Sequence, residues 1–294
     1  MGCDIHLFVE TRDSADAPWR LTRVVIPCHW CDGKGAYRDG RECYGCKGAK
    51  GRPGYDARNY DVFAILADVR NGTGFAGCDL GDGFIPIADR RGLPPDMCQE
   101  LQAIATGRGD SEEAAEARSE RLDAEYGETW LGDHSHSWLK LSELLACDWS
   151  RTTNHRGLAP LPEWFRMKEA NERKPRNYCG GADGRGVRKV PEAVAGALRP
   201  CFRVEENDGL AEPTMKPLAL TDEARRAWTS LTDYSERELV AWSRGEIQLS
   251  VYVPLQWSDT YAESAGLFHS AFIPALAALG KSPDDVRLVF GFDS

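Results

Sequence analysis

Four cysteines stand as Cys28-x2-Cys31-x11-Cys43-x2-Cys46. Each Cys-x-x-Cys pair can bend back on itself, so that four thiolates meet tetrahedrally around one Zn²⁺. Gly33, Gly35, Gly45 and Gly48 supply the tight turns this requires. The spacing predicts one structural zinc with no open coordination position.

A second set of residues has ligand chemistry of another kind. Asp4 and His6 stand two apart, as do His134 and His136. Two such strands side by side would offer four nitrogen and oxygen ligands for a second divalent metal, Zn²⁺, Mn²⁺ or Fe²⁺. Asp133 or Asp293 would complete the shell or orient a histidine. An ion with an open position lowers the pKa of bound water. In this reading Asp4 and His6 are metal ligands, and Asp133, His134 and His136 carry the chemistry. The competing reading is hydrogen bonding across a sheet, with Asp133-His134-Ser135 capping a helix. No Gly-x-Ser-x-Gly elbow or Cys–His pair of known spacing offers a nucleophile.

A third set is aromatic and basic: Arg58, Asn59, Tyr60, Trp138, Trp257 and Tyr261. Rings stack on planar bases and arginine grips phosphate bidentately, so these residues are candidates for a nucleotide pocket. The alternative places the same rings in core and rim.

The elements that must position these groups follow from periodicity. Ile5, Leu7 and Val9 alternate with Asp4, His6 and Phe8, the period of a half-buried strand over 4–10. A second strand over 20–26 would close a hairpin. Helices are expected over 60–70, 95–106, 111–126, 221–231, 235–244 and 260–279, the last kinked at Pro274. Ser235-x-x-Glu238 is a capping box. Strands are expected over 134–141, 247–253 and 286–292, the last central to the same sheet as the first. Residues 149–217 read as irregular, apart from a short helix over 191–198. The glycine-rich stretch 71–83 matches neither phosphate-loop nor dinucleotide fingerprints. The order lacks regular β-α alternation, so the expected class is α+β, a mixed or antiparallel sheet flanked by helices. Residues 1–26 and 55–294 are read as one domain, and 27–54 as an inserted zinc module.

The stretches CHWCDGKG and CYGCKGAKG resemble the cysteine-rich zinc repeat of DnaJ-type chaperones, with Lys50 where the last glycine of the second copy should stand. MGCDIHLFVE, RNYDVFAILADVRNG, DHSHSWLKLSELL and DVRLVFGFDS together look like an uncharacterised family common in bacteriophages and prophages. That resemblance implies a phage source and the host cytoplasm as the workplace, and carries over no catalytic residues.

Composition narrows the classes. The chain has 294 residues and a net charge of −10, which disfavours broad nucleic-acid binding. The exception is local: residues 28–54 hold six Lys or Arg against three carboxylates. No apolar run approaches a membrane span, and the start lacks signal-peptide character, so a cytoplasm with reduced cysteines is expected. The leading expectation is a metal-dependent hydrolase of a phosphate-containing, nucleotide-type small molecule. The alternative is an anti-defence protein that sequesters a nucleotide signal through Arg58, Tyr60 and Trp257. A third class is an adaptor working through the finger.

Overall fold

The computed structural model describes residues 3–37, 39–55, 57–72, 78–79, 85–88, 90–106, 112–205 and 213–293. In chain order the strands are β1 (Ile5–Thr11), β2 (Arg20–Leu21), β3 (Val25–Pro27), β4 (Gly51–Pro53), β5 (Cys78–Asp79), β6 (His134–Lys140), β7 (Thr152–Pro160), β8 (Val187–Lys189), β9 (Phe202–Glu205), β10 (Thr214–Pro217), β11 (Ser250–Thr260) and β12 (Val286–Phe292). Helices and largely antiparallel sheets make an α+β protein, as the pattern predicts. The contacts divide the chain into two compact units. One holds residues 1–71, 80–153 and 259–294; the other holds 72–79 and 154–258. The sequence reading treated everything outside the finger as one body.

The first unit is built on a sheet of order β2-β1-β12-β6. β12 lies between β1 and β6 and is antiparallel to both, with Ile5 opposite Phe292 and Thr11 opposite Val286. Ile5, Leu7, Val9, Leu288, Phe290 and Phe292 face one core with Val62, Phe63 and Leu66 of the Tyr60–Ala67 helix and with Phe268, Phe272 and Leu276. Phe8 and Val289 face the opposite way, into a second core with Leu101, Ile104 and Leu122 of the helices Gln99–Thr106 and Glu112–Tyr126. Because both faces are covered, β1 and β12 are buried along their whole lengths rather than half-buried.

The expected hairpin partner of β1 is reduced to β2, and the residues that follow it, β3, pair instead with β4. That two-stranded ribbon carries the finger. The Tyr60–Ala67 helix stops earlier than Asn71-Gly72 suggested, because Asp68 takes a left-handed conformation at φ 57° and caps it. The expected 260–279 helix is broken by Gly266 at φ 53° into Tyr261–Ala265, a π-helical turn Phe268–Phe272 and Ile273–Ala277, with Pro274 in the first turn of the last piece. Most of the glycine-rich stretch 71–83 lies outside the described residues.

The second unit has its own core, with Trp164, Phe165, Trp228, Val253 and Trp257 among its members. Its main sheet has the order β5-β7-β11-β8. Most of the region read as irregular is in fact ordered: β7 runs into the helix Leu161–Glu169, and β8, β9 and β10 follow. The reason the pattern hid β7 is chemical. Its buried positions at 153 and 155 are Thr153 and His155, so a hydropathy alternation is absent although the burial alternation is present. Among the described residues, no helix is long and apolar enough to cross a membrane.

Candidate functional site

The finger is a pair of matching turns. Asp32, Gly33 and Gly35 follow the first cysteine pair with φ of 49°, 70° and 83°; Lys47, Gly48 and Lys50 follow the second with 46°, 76° and 66°. Lys50 therefore holds a left-handed position that glycine occupies in the first half, at a cost in backbone energy. The halves interlock closely: a Cβ at Gly35 would stand 2.8 Å from the Gly48 carbonyl oxygen. The Cys28 N–H donates to the Lys50 carbonyl at 3.0 Å, and the Gly35 N–H donates to Cys31 Sγ at 3.2 Å.

All four cysteines are buried, and their sulfurs lie within 4.8 Å of one another. Sγ–Sγ distances are 3.9 Å for Cys28–Cys43 and 3.7 Å for Cys31–Cys46. Disulfide sulfurs would stand about 2.05 Å apart. Zn–S bonds of about 2.3 Å set tetrahedral edges of about 3.8 Å, so the spacing fits one structural ion such as zinc. Without an ion the thiols share their protons unevenly. Burial and neighbouring thiols push Cys28 up to about 12. At Cys43 burial also pushes up, but N–H groups of Cys46 and Gly45 and the Tyr37 hydroxyl outweigh it and bring the thiol to about 6. A divalent cation takes all four as thiolates. Among the described residues, this is the only group of three or more His, Cys, Asp or Glu side chains that could hold a metal ion.

The Asp/His set comes together at one end of the β1–β12–β6 sheet, but not as a ligand shell. Strand β12 separates β1 from β6, which puts their backbones about 10 Å apart. Asp4 is gripped bidentately by Arg58, at 2.6 and 2.5 Å. A register shift between Phe290 and Phe292, with Ser135 at φ 51°, parts the two histidines of β6. His134 pairs with Phe292, stacks against its ring, and reaches the Asp293 carbonyl oxygen at 3.2 Å through Nε2. His136 lies over Gly291 and reaches the Gly132 carbonyl oxygen at 3.2 Å. Asp133 is exposed, and its N–H donates to the Phe292 carbonyl.

What gathers here is a caged imidazole. His6 Nδ1 stands 3.0 Å from Glu128 Oε2, and its Nε2 stands 3.6 Å from Asp293 Oδ2. Trp130 lies against the ring, with centroids 4.7 Å apart. Burial opposes the imidazolium charge, but Glu128 and Asp293 outweigh it and hold His6 above the usual histidine range. Glu128 and Trp130 sit in the segment before β6, outside any periodic pattern, so nothing in their spacing marked them.

The aromatic and basic set is divided between the two units. Asn59 is the N-cap of the Tyr60–Ala67 helix, and the Tyr60 hydroxyl accepts from the Cys3 N–H at 3.4 Å. Trp138 packs beneath Arg91 and Arg287, and Tyr261 beneath Arg151. Trp257 belongs to the second unit, where it stacks on His155 with the rings 7° from parallel beside a cleft of about 400 Å³. No protein-family model, curated protein or solved structure matches this chain.

Proposed function

We propose that this protein is a zinc-stapled recognition protein of a phage-infected cytoplasm, whose Cys28/Cys31/Cys43/Cys46 finger presents a binding face to a macromolecular partner. One observation carries the reading: the four sulfurs close on a single ion position, while Trp30 and Tyr44 of the same two turns remain 43% and 64% exposed. A closed site of four thiolates holds shape and leaves no position for an activated water. Exposed rings on a rigid turn are the groups in which interface energy concentrates.

The test uses the full chain. A photo-cross-linking residue in place of Tyr44 should trap a partner in the cell, and the same residue in place of the exposed Leu145 should not. Cys43→Ser should lose one zinc per chain by elemental analysis and lose the adduct with it. Equal trapping at positions 44 and 145, or none at 44, sinks the reading.

A second reading keeps the phosphohydrolase, and His6 supports it. Glu128 stands 3.0 Å from Nδ1 and Asp293 Oδ2 3.6 Å from Nε2, and both favour the protonated ring, so His6 would serve as a general acid that donates a proton to the leaving group. This chemistry would run without a metal, since Asp4, His134 and His136 are engaged elsewhere. Turnover of cyclic or diphosphate nucleotides that His6→Gln abolishes would favour it; no turnover by either protein would remove it. Nucleotide sequestration has less support, because Arg58 is committed to Asp4.

A further inference from the structure

The finger carries a row of rings rather than an isolated pair. His29 and Trp30 have centroids 4.9 Å apart, Trp30 and Tyr44 5.1 Å, and Tyr44 and Tyr37 5.9 Å. The row crosses from one cysteine turn to the other. Trp30 is seated by its neighbour: a Cβ at Gly45 would stand 2.4 Å from Trp30 Cδ1, so only a glycine lets the indole lie on that turn. Elsewhere large rings such as Phe63, Trp228 and Phe290 are wholly buried. Trp130 is also 40% exposed, but it lies against His6 by itself, whereas Trp30 and Tyr44 stand side by side on the two cysteine turns and form a platform.

Charge says what the platform takes. Residues 28–54 carry six Lys or Arg against three carboxylates in a chain of net charge −10, so everything outside the finger is more acidic than the whole. Lys34 faces Asp32 at 3.5 Å and Arg41 faces Asp39 at 2.7 Å. Lys47 and Lys50 are exposed, and among the described residues neither has a carboxylate partner. Lys47 closes the very turn that displays Tyr44, its N–H donating to the Cys43 carbonyl at 2.7 Å. Rings that stack on any base, next to cations that meet phosphate, are the two components of single-strand binding. A duplex hides its base faces and offers this platform only phosphate.

Resting on the recognition reading above, we propose that the finger binds single-stranded nucleic acid, the bases stacking on Trp30 and Tyr44 beside His29 and the phosphates meeting Lys47 and Lys50. The acidic remainder of the chain repels the polyanion and confines it to the finger.

The zinc-loaded full chain is titrated by fluorescence anisotropy into a labelled oligothymidine strand of about 20 nucleotides and into a matching duplex. The strand should bind at least tenfold more tightly than the duplex. Trp30→Ala with Tyr44→Ala should weaken strand binding at least tenfold while retaining zinc. Lys47→Gly and Lys50→Gly suit the left-handed backbone at those positions, so they remove charge without unfolding the turn. Each should lower the slope of log affinity against log salt by about 0.7, the value for one phosphate contact on a single strand. Equal affinity for strand and duplex, or strand binding indifferent to the ring variants, overturns the proposal. The position-44 adduct separates the two levels of the argument. If nuclease releases it, the ligand is nucleic acid. If it survives nuclease, yields to protease and the strand does not bind, the partner is a protein: this inference falls and the recognition reading stands. If no adduct forms, both fall.

Discussion

At the scale of single residues, two buried charged groups sit in one sheet with different consequences. Glu128 and Asp293 favour the imidazolium form of His6 and raise it above its usual range. The unfolded imidazole gives up its proton near 6.5, and the folded one only at higher pH. The stabilisation is therefore complete below about pH 6.5 and lost as pH rises through the folded value. The gap in melting temperature between the protein and His6→Gln should narrow as pH rises above about 6.5; a widening gap would mean that the caged ring is neutral. Arg287 is a permanent charge, 2% exposed, directly across from Glu10 at 0%. Its Nε donates to Glu10 at 2.7 Å and its Nη1 to Asp96 at 2.6 Å, and its guanidinium lies 4.0 Å from the Trp19 ring centroid. Arg287→Ala should cost about 3–5 kcal/mol in denaturant unfolding, because it strands a buried carboxylate. Arg287→Met combined with Glu10→Leu should cost less than Arg287→Ala, since the pair leaves together.

At the scale of elements, the finger is a ribbon with two equivalent turns, and its weak point is the position where the halves differ. Lys50 holds φ 66° where its counterpart Gly35 holds 83°. Lys50→Gly should relieve that strain and stabilise the finger by about 1 kcal/mol, read as slower zinc loss to a chelator. An unchanged or faster loss would show that the lysine stem, rather than backbone strain, dominates there. The same element explains why the finger tolerates its small size. It has four cysteines and Tyr37 where a larger module would have an apolar core, and one ion held by the four sulfurs would supply the cohesion that such a core gives.

At the scale of the whole molecule, the topology separates what each segment supports. β12 bonds to both β1 and β6, so deleting residues 286–294 should remove the first unit's cooperative melt and leave the chain insoluble. The larger segment of the second unit, residues 154–258, begins and ends on adjacent strands: β7 and β11 are neighbours, and Ser258 Oγ donates to Asn154 Oδ1 at 2.8 Å. Replacing residues 154–258 by a short glycine-serine linker should therefore leave a protein that binds one zinc and melts cooperatively. Loss of both properties would show that the units are one folding body.

The sequence by itself determined the cysteine site, the α+β class, and the two long strands at either end of the chain. In those places the signal is local: ligand spacing within a turn, or alternation within a strand, is set by residues a few positions apart. Only the tertiary structure decided the fate of Asp4, His6, His134 and His136. A strand from the far end of the chain separates their two strands, and a bulge at Ser135 divides the second pair. The convergence of His6 with Glu128 and Asp293 depends on sheet order and register, which follow from the burial of both sheet faces and not from the identity of the polar residues. The missed strand β7 has the same origin. A position is buried because of what packs over it, so Thr153 and His155 can line a core that their own hydropathy does not announce.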